Sequence, residues 1–136
     1  MRLNSKQIEK LFHLAIEQTP VANARVIAAI YDGKELISVG RNQQKTHTFQ
    51  QKFKKNNMAN WIHAEVNAIY KAIQKIGIKR LEHCTMYIVR AKKDMKTKEW
   101  VYGLAAPCCG CQSAIEAFKI KEVYYSTDEG DMKSIW

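Results

Sequence analysis

Four side chains in two short stretches of this 136-residue chain have the types and spacing for metal chemistry: His63 and Glu65 in His63-Ala64-Glu65, and Cys108 and Cys111 in Pro107-Cys108-Cys109-Gly110-Cys111. An imidazole and two thiolates form a ligand set that suits zinc. Structural zinc sites close all four positions with protein ligands, whereas three ligands leave one position for water or substrate. Zinc brings the pKa of bound water toward neutrality, and a carboxylate beside it can carry the proton that the water gives up. The set therefore predicts an enzyme with His63, Cys108 and Cys111 on the metal and Glu65 as proton shuttle.

Each half of the pattern is weak by itself. His-x-Glu arises by chance, and Cys-x-x-Cys also serves as a redox pair or as half of a structural zinc knuckle. A thioredoxin-like pair would follow an early strand, and no second Cys or His pair is present to complete a four-ligand knuckle. Cys109, between the two ligands, reads as a spacer, and Cys84 as a small core hydrophobe.

The elements must bring the two stretches together. Residues two apart diverge in mid-helix, so His63 and Glu65 can cooperate only in a first turn. Val66, Ile69, Tyr70, Ile73 and Ile76 form an apolar stripe for a helix that begins near Trp61 to His63 and stops at Gly77. Cys108 and Cys111, three apart, share a face of a second helix that opens after Pro107, a natural first-turn residue. Two helix N-termini would then face one metal, where their dipoles favour thiolates and developing negative charge.

Around these helices the order reads α-β-β-α-β-α-β. Asn4 and Gln7 form a capping-box pattern for a first helix reaching about Gln18. Val26 to Tyr31 and Glu35 to Val39 form a hairpin about Asp32-Gly33. Arg41 to Asn60 is a long polar loop without periodicity, and Lys92 to Lys98 a charged surface loop. Cys84 to Val89 and Ile120 to Tyr125 are strands joined by a helical crossover, so they should run parallel. Met132 to Trp136 can return as a short antiparallel fifth strand. The expectation is one α/β domain over residues 1–136 with a mixed sheet of four or five strands.

Composition limits the partners. With 46% hydrophobic residues the chain can bury one core, and no apolar run approaches a membrane span. The lack of a secretory pattern and the clustering of three of four cysteines predict a cytoplasmic protein that uses them for metal instead of disulfides. A formal charge of +9, from 22 Lys+Arg against 13 Asp+Glu, should attract phosphates, without separating a nucleotide from a nucleic acid.

His63-Ala64-Glu65 with Pro107-Cys108-x-x-Cys111 resembles the zinc-dependent cytidine and deoxycytidylate deaminases, over roughly residues 23 to 126. His63-Ala64-Glu65-Val66-Asn67-Ala68-Ile69, Gly40-Arg41-Asn42 and Met86-Tyr87-Ile88 are similar to the deoxycytidylate branch, and Gly40 to His47 looks like its small phage-type members. The resemblance implies a three-layer α-β-α cytidine-deaminase-like fold, Zn2+ as cofactor, a homo-oligomer, and hydrolysis of dCMP to dUMP and ammonia. It places Asn42 on the substrate sugar, and the backbone of Ala64 and Cys108 at the developing tetrahedral centre. Lys45, Lys52, Lys54 or Lys55 in the basic loop are candidates for the phosphate, His47 in the same loop is a further substrate-binding candidate, and Trp61 can stack on the pyrimidine or staple the helix start. Two rival readings use the same residues: a deaminase acting on single-stranded nucleic acid or on another nucleoside or base, and a non-catalytic zinc-stabilised module. Glu65 argues against the module.

Overall fold

The computed structural model describes residues 3–17, 24–42, 63–107 and 109–135. Helix α1 (Ser5–Ile16) leads into strands β1 (Ala24–Asp32) and β2 (Glu35–Arg41), helix α2 (Ala64–Ile76), a 3-10 helix (Lys79–His83), strands β3 (Thr85–Lys93) and β4 (Trp100–Gly103), helix α3 (Cys109–Ala117), and strands β5 (Glu122–Ser126) and β6 (Met132–Ser134).

Alternation along the strands assigns side chains to two faces. On one face Ala28, Ile30, Met86, Ile88 and Val123 pack against α2 and α3. On the other, Ile27, Ala29, Tyr87, Val89 and Tyr124 meet Ile8, Leu11, Phe12 and Ala15 of α1. With both faces covered, β1 is apolar at every position from Ile27 to Ile30, all fully buried. This is the expected α-β-α sandwich.

The strands run in the order β2-β1-β3-β5-β6, with β4 joining β3 off that path. The first half of β3, Thr85 to Ile88, pairs in parallel with β5, and the second half, Arg90 to Lys93, pairs antiparallel with β4 along the same edge. Residues 92 and 93 thus extend a strand, where the sequence predicts the start of a loop, and Trp100–Gly103 is a sixth strand beyond the four or five expected. Aromatic contacts hold β4 in place: Phe12 stacks on Tyr102 with centroids 4.2 Å apart, and the Arg25 guanidinium lies 4.7 Å above the Trp100 ring.

Local chemistry fixes the ends of the elements. Asn4 and Gln7 exchange both capping-box hydrogen bonds at 2.9 Å, and α1 ends at Ile16, two residues before the expected Gln18. Gly33, at φ 62°, is the first of two turn residues between Asp32 and Glu35, where a hairpin turn of the II′ kind needs glycine. Gly77, at φ 82°, ends α2 as expected. Parallel pairing of β3 with β5 and antiparallel return of β6 follow the sequence reading. Among the described residues no helix is long and apolar enough to cross a membrane.

Candidate active site

Helix α2 begins where His63 leaves extended backbone, at φ −90° and ψ 153°, and its main-chain carbonyl accepts the first helical bond from Asn67 N at 3.0 Å. The imidazole is therefore not used as a cap, and it turns toward α3. There His63 Nδ1 lies 3.1 Å from Cys111 Sγ. The ligands around a tetrahedral zinc, with Zn–S about 2.3 Å and Zn–N about 2.0 Å, stand roughly 3.5 Å apart. The pair thus fits a shared metal after a shift of a few tenths of an ångström. Cys111 is fully buried in the first turn of α3, where orphan N–H groups favour a thiolate.

Glu65 falls in the first turn of α2 at only 6% exposure, and Ala64 beside it is fully buried. A carboxylate that close to a helix N-terminus is favoured by the dipole and shielded from bulk water. Asn42 lies just past β2. Its Oδ1 accepts from Val26 N at 2.9 Å, which extends the β1–β2 pairing and fixes the amide at the end of the sheet. Cys108, Lys45, His47 and Trp61 lie outside the described residues. Among the described residues no group of three metal-binding side chains gathers, since the pattern's third ligand is Cys108.

Three positions whose role the sequence pattern does not declare, Gly40, Asn67 and Ser38, hold this corner together. Gly40 passes so close under α2 that a Cβ there would sit 2.1 Å from Ala64 O and 2.3 Å from Ala68 N. Only glycine lets β2 approach the start of the helix. The Asn67 side chain, 6% exposed, accepts from Arg41 N at 3.0 Å, and buried Ser38 Oγ donates to Ala68 O at 2.8 Å. Residues 64–69 of α2 are buried all round, so an asparagine within that run was the available signal.

The second arm of the site is tied to the sheet in the same way. Ser126, fully buried at the end of β5, donates to Gly103 O at 2.7 Å and accepts from Arg90 N at 3.1 Å, and its own carbonyl accepts from Ala105 N at 2.9 Å. Asp128 Oδ1 accepts from Leu104 N at 3.1 Å and from Lys92 Nζ at 2.9 Å. The Lys92 contact holds the Asp128 carboxyl below the usual carboxylate range. These bonds set the path of residues 103–105 toward Pro107.

A model of the family described as the cytidine and deoxycytidylate deaminase zinc-binding region matches residues 1–127. The chain belongs to that family. Among eleven matching chains of solved structures is the apo dCMP deaminase from the cyanophage S-TIM5, similar at TM-score 0.53 and 19% identity over 92% of this chain and 86% of that one. At that identity the likeness speaks for the fold. No curated protein matches the chain in sequence.

Proposed function

We propose that this deaminase hydrolyses the 4-amino group of a cytosine mononucleotide, dCMP before others, with zinc on His63, Cys108 and Cys111 and with Glu65 moving the protons. The observation that carries the reading is the meeting of His63 Nδ1 and Cys111 Sγ at 3.1 Å, where two helices begin, with Glu65 buried in the same turn. Membership in a family defined by its zinc-binding region supports the metal and the reaction class.

A zinc ion held there would supply the Lewis acidity that makes water a nucleophile near neutral pH. Glu65 takes one proton from the attacking water and delivers it to N3 of the ring. It then carries the second to the 4-amino nitrogen, which leaves as ammonia while C4 keeps the oxygen. Burial keeps bulk water from competing for that proton, and such acid–base work contributes about 10²- to 10⁴-fold. The first N–H groups of α2, that of Ala64 included, have no partner within their own helix and would favour charge developing at C4. The family resemblance assigns Asn42, whose Oδ1 is fixed on Val26 N, to the substrate sugar.

The test is ammonia release by zinc-loaded protein from cytosine, cytidine, deoxycytidine, CMP, dCMP, dCTP and a short cytosine-containing single strand, with Glu65→Gln alongside. The expected result is the highest kcat/KM on dCMP and a loss of about 10²- to 10⁴-fold in the variant, with zinc content unchanged. Turnover of the strand alone would replace the mononucleotide by nucleic acid. Silence across the panel would overturn the choice of cytosine.

A further inference from the structure

The residues beyond the start of α2 form one row across the sheet. Gly40, Ala28 and Ile88 are register neighbours on the helix face, and a Cβ on Gly40 would meet the first residue of α2. Two residues further along each strand, Asn42 bonds Val26, Val26 lies opposite Arg90, and Arg90 lies opposite Gly103. Alternation keeps this second row on the α2/α3 face, where Met86 and Ile88 also point. It places Arg41 on the opposite face. Arg90 is thus the one cation among these four row positions, between Asn42 on one side and the approach to Pro107 on the other.

The surroundings of Arg90 do not neutralise it. Its Nη1 donates to Leu104 O at 3.3 Å, and its Nε is buried without a hydrogen-bond partner among the described residues. Among the described residues it forms no ion pair, and the residues outside them include no Asp or Glu. The nearby carboxylate of Asp128, which feels its charge, already has Oδ1 occupied by Lys92 Nζ and Leu104 N. The stem of Arg90 is held in place, because a Cβ on its cross-strand neighbour Gly103 would come within 3.1 Å of Arg90 Cδ and 3.2 Å of Cγ. A guanidinium with an unused donor and no carboxylate of its own, set in a half-buried position beside a site, is a receptor for a planar or tetrahedral oxyanion.

We propose that Arg90 binds the 5′-phosphate of the nucleotide and so makes the enzyme prefer dCMP over deoxycytidine, an inference that rests on the mononucleotide reading above. It assigns the phosphate to the second half of β3, whereas the sequence alone points to the loop with Lys45, Lys52, Lys54 and Lys55. Asn42 and Arg90 stand on either side of Val26 in that row, so sugar and phosphate are read from one register.

The experiment compares kcat/KM for dCMP and deoxycytidine in the zinc-loaded wild type, Arg90→Gln and Arg90→Lys, together with calorimetric binding of dCMP and deoxycytidine to each. Arg90→Gln should lower the dCMP-to-deoxycytidine ratio about 10- to 100-fold, mainly through KM, and Arg90→Lys should restore part of it as a charge without a fork. Equal losses on both substrates would make Arg90 a structural residue and overturn the proposal, as would wild-type protein binding dCMP no tighter than deoxycytidine. Phosphate-dependent binding that Arg90→Gln abolishes, without ammonia release from dCMP, would instead sink the proposed reaction and leave the Arg90 assignment standing.

Discussion

Cys84 and Cys111 are both fully buried in the same layer, between the sheet and helices α2 and α3, yet its two ends turn opposite backbone groups toward a thiol. Cys84 follows the last turn of the 3-10 helix, and its thiol donates to Arg80 O at 3.3 Å. It sits at the carbonyl end of a helix, and burial, with a smaller push from Asp32, raises it to about 11. Cys111 sits at the N–H end of α3, beside an imidazole. On the proposed reading, in which Cys111 holds zinc and Cys84 does not, burial alone does not make a ligating cysteine; the sign of the backbone dipole and the neighbouring donor decide it.

The sharpest way to break this contrast is to remove each sulfur in turn. Cys111→Ala should reduce bound zinc well below one per chain and activity by at least about 100-fold, since a catalytic site with two protein ligands no longer holds its metal. Cys84→Ala should leave activity within about twofold and cost about 1 kcal/mol of stability for the small cavity. Zinc content by atomic absorption and urea denaturation separate the two. Equal effects at both positions would mean that Cys111 is only a core residue.

A second, smaller effect is expected at the site end of the layer without touching any chemical group. Gly40→Ala forces a methyl group against the backbone of Ala64 and Ala68, so α2 must move off β2 and carry His63 and Glu65 with it. Overpacking of this kind costs about 1–3 kcal/mol, whereas a displacement near 1 Å at reacting groups costs about 10²-fold in rate. Activity should thus fall far more than stability. A variant that loses stability but keeps kcat would show that the helix start does not set the geometry.

The legible part of this architecture was local. The capping box at Asn4, the glycine turn at Gly33, the stripe from Val66 to Ile76 ending at Gly77, and His-x-Glu with Cys-x-x-Cys each declare themselves within a few residues. What escaped depends on partners far along the chain. Trp100–Gly103 is too short to show a strand period, and it becomes a strand because the second half of β3 has an open edge. Asn67 resembles any polar helix position until Arg41 N, 26 residues earlier, is found on its oxygen. Arg90 ends an apolar run in sequence, and only register reveals that it shares a row with Asn42. Gly40 was visible as a motif letter, but its cause, the approach of β2 to α2, is tertiary.

The smallest effect tests the apolar end by titration. The Cys84 thiol is raised from an ordinary 9.0 to about 11 in the folded protein, chiefly by burial. Between these values the unfolded chain gives up the proton first, so the neutral thiol's contribution to stability is complete below pH 9 and is lost as pH rises through 11. Other groups titrate in the same window, Tyr31 and Tyr102 among them, both pushed up by burial. The informative quantity is therefore the difference in unfolding free energy between wild type and Cys84→Ala, measured by urea denaturation at pH 8, 9, 10 and 11. It should be constant up to pH 9 and then shrink, because alanine has no proton to retain. A difference that stays constant to pH 11 would mean that the thiolate is tolerated at this end, and the opposition between the two buried cysteines would then rest on the metal ligands alone.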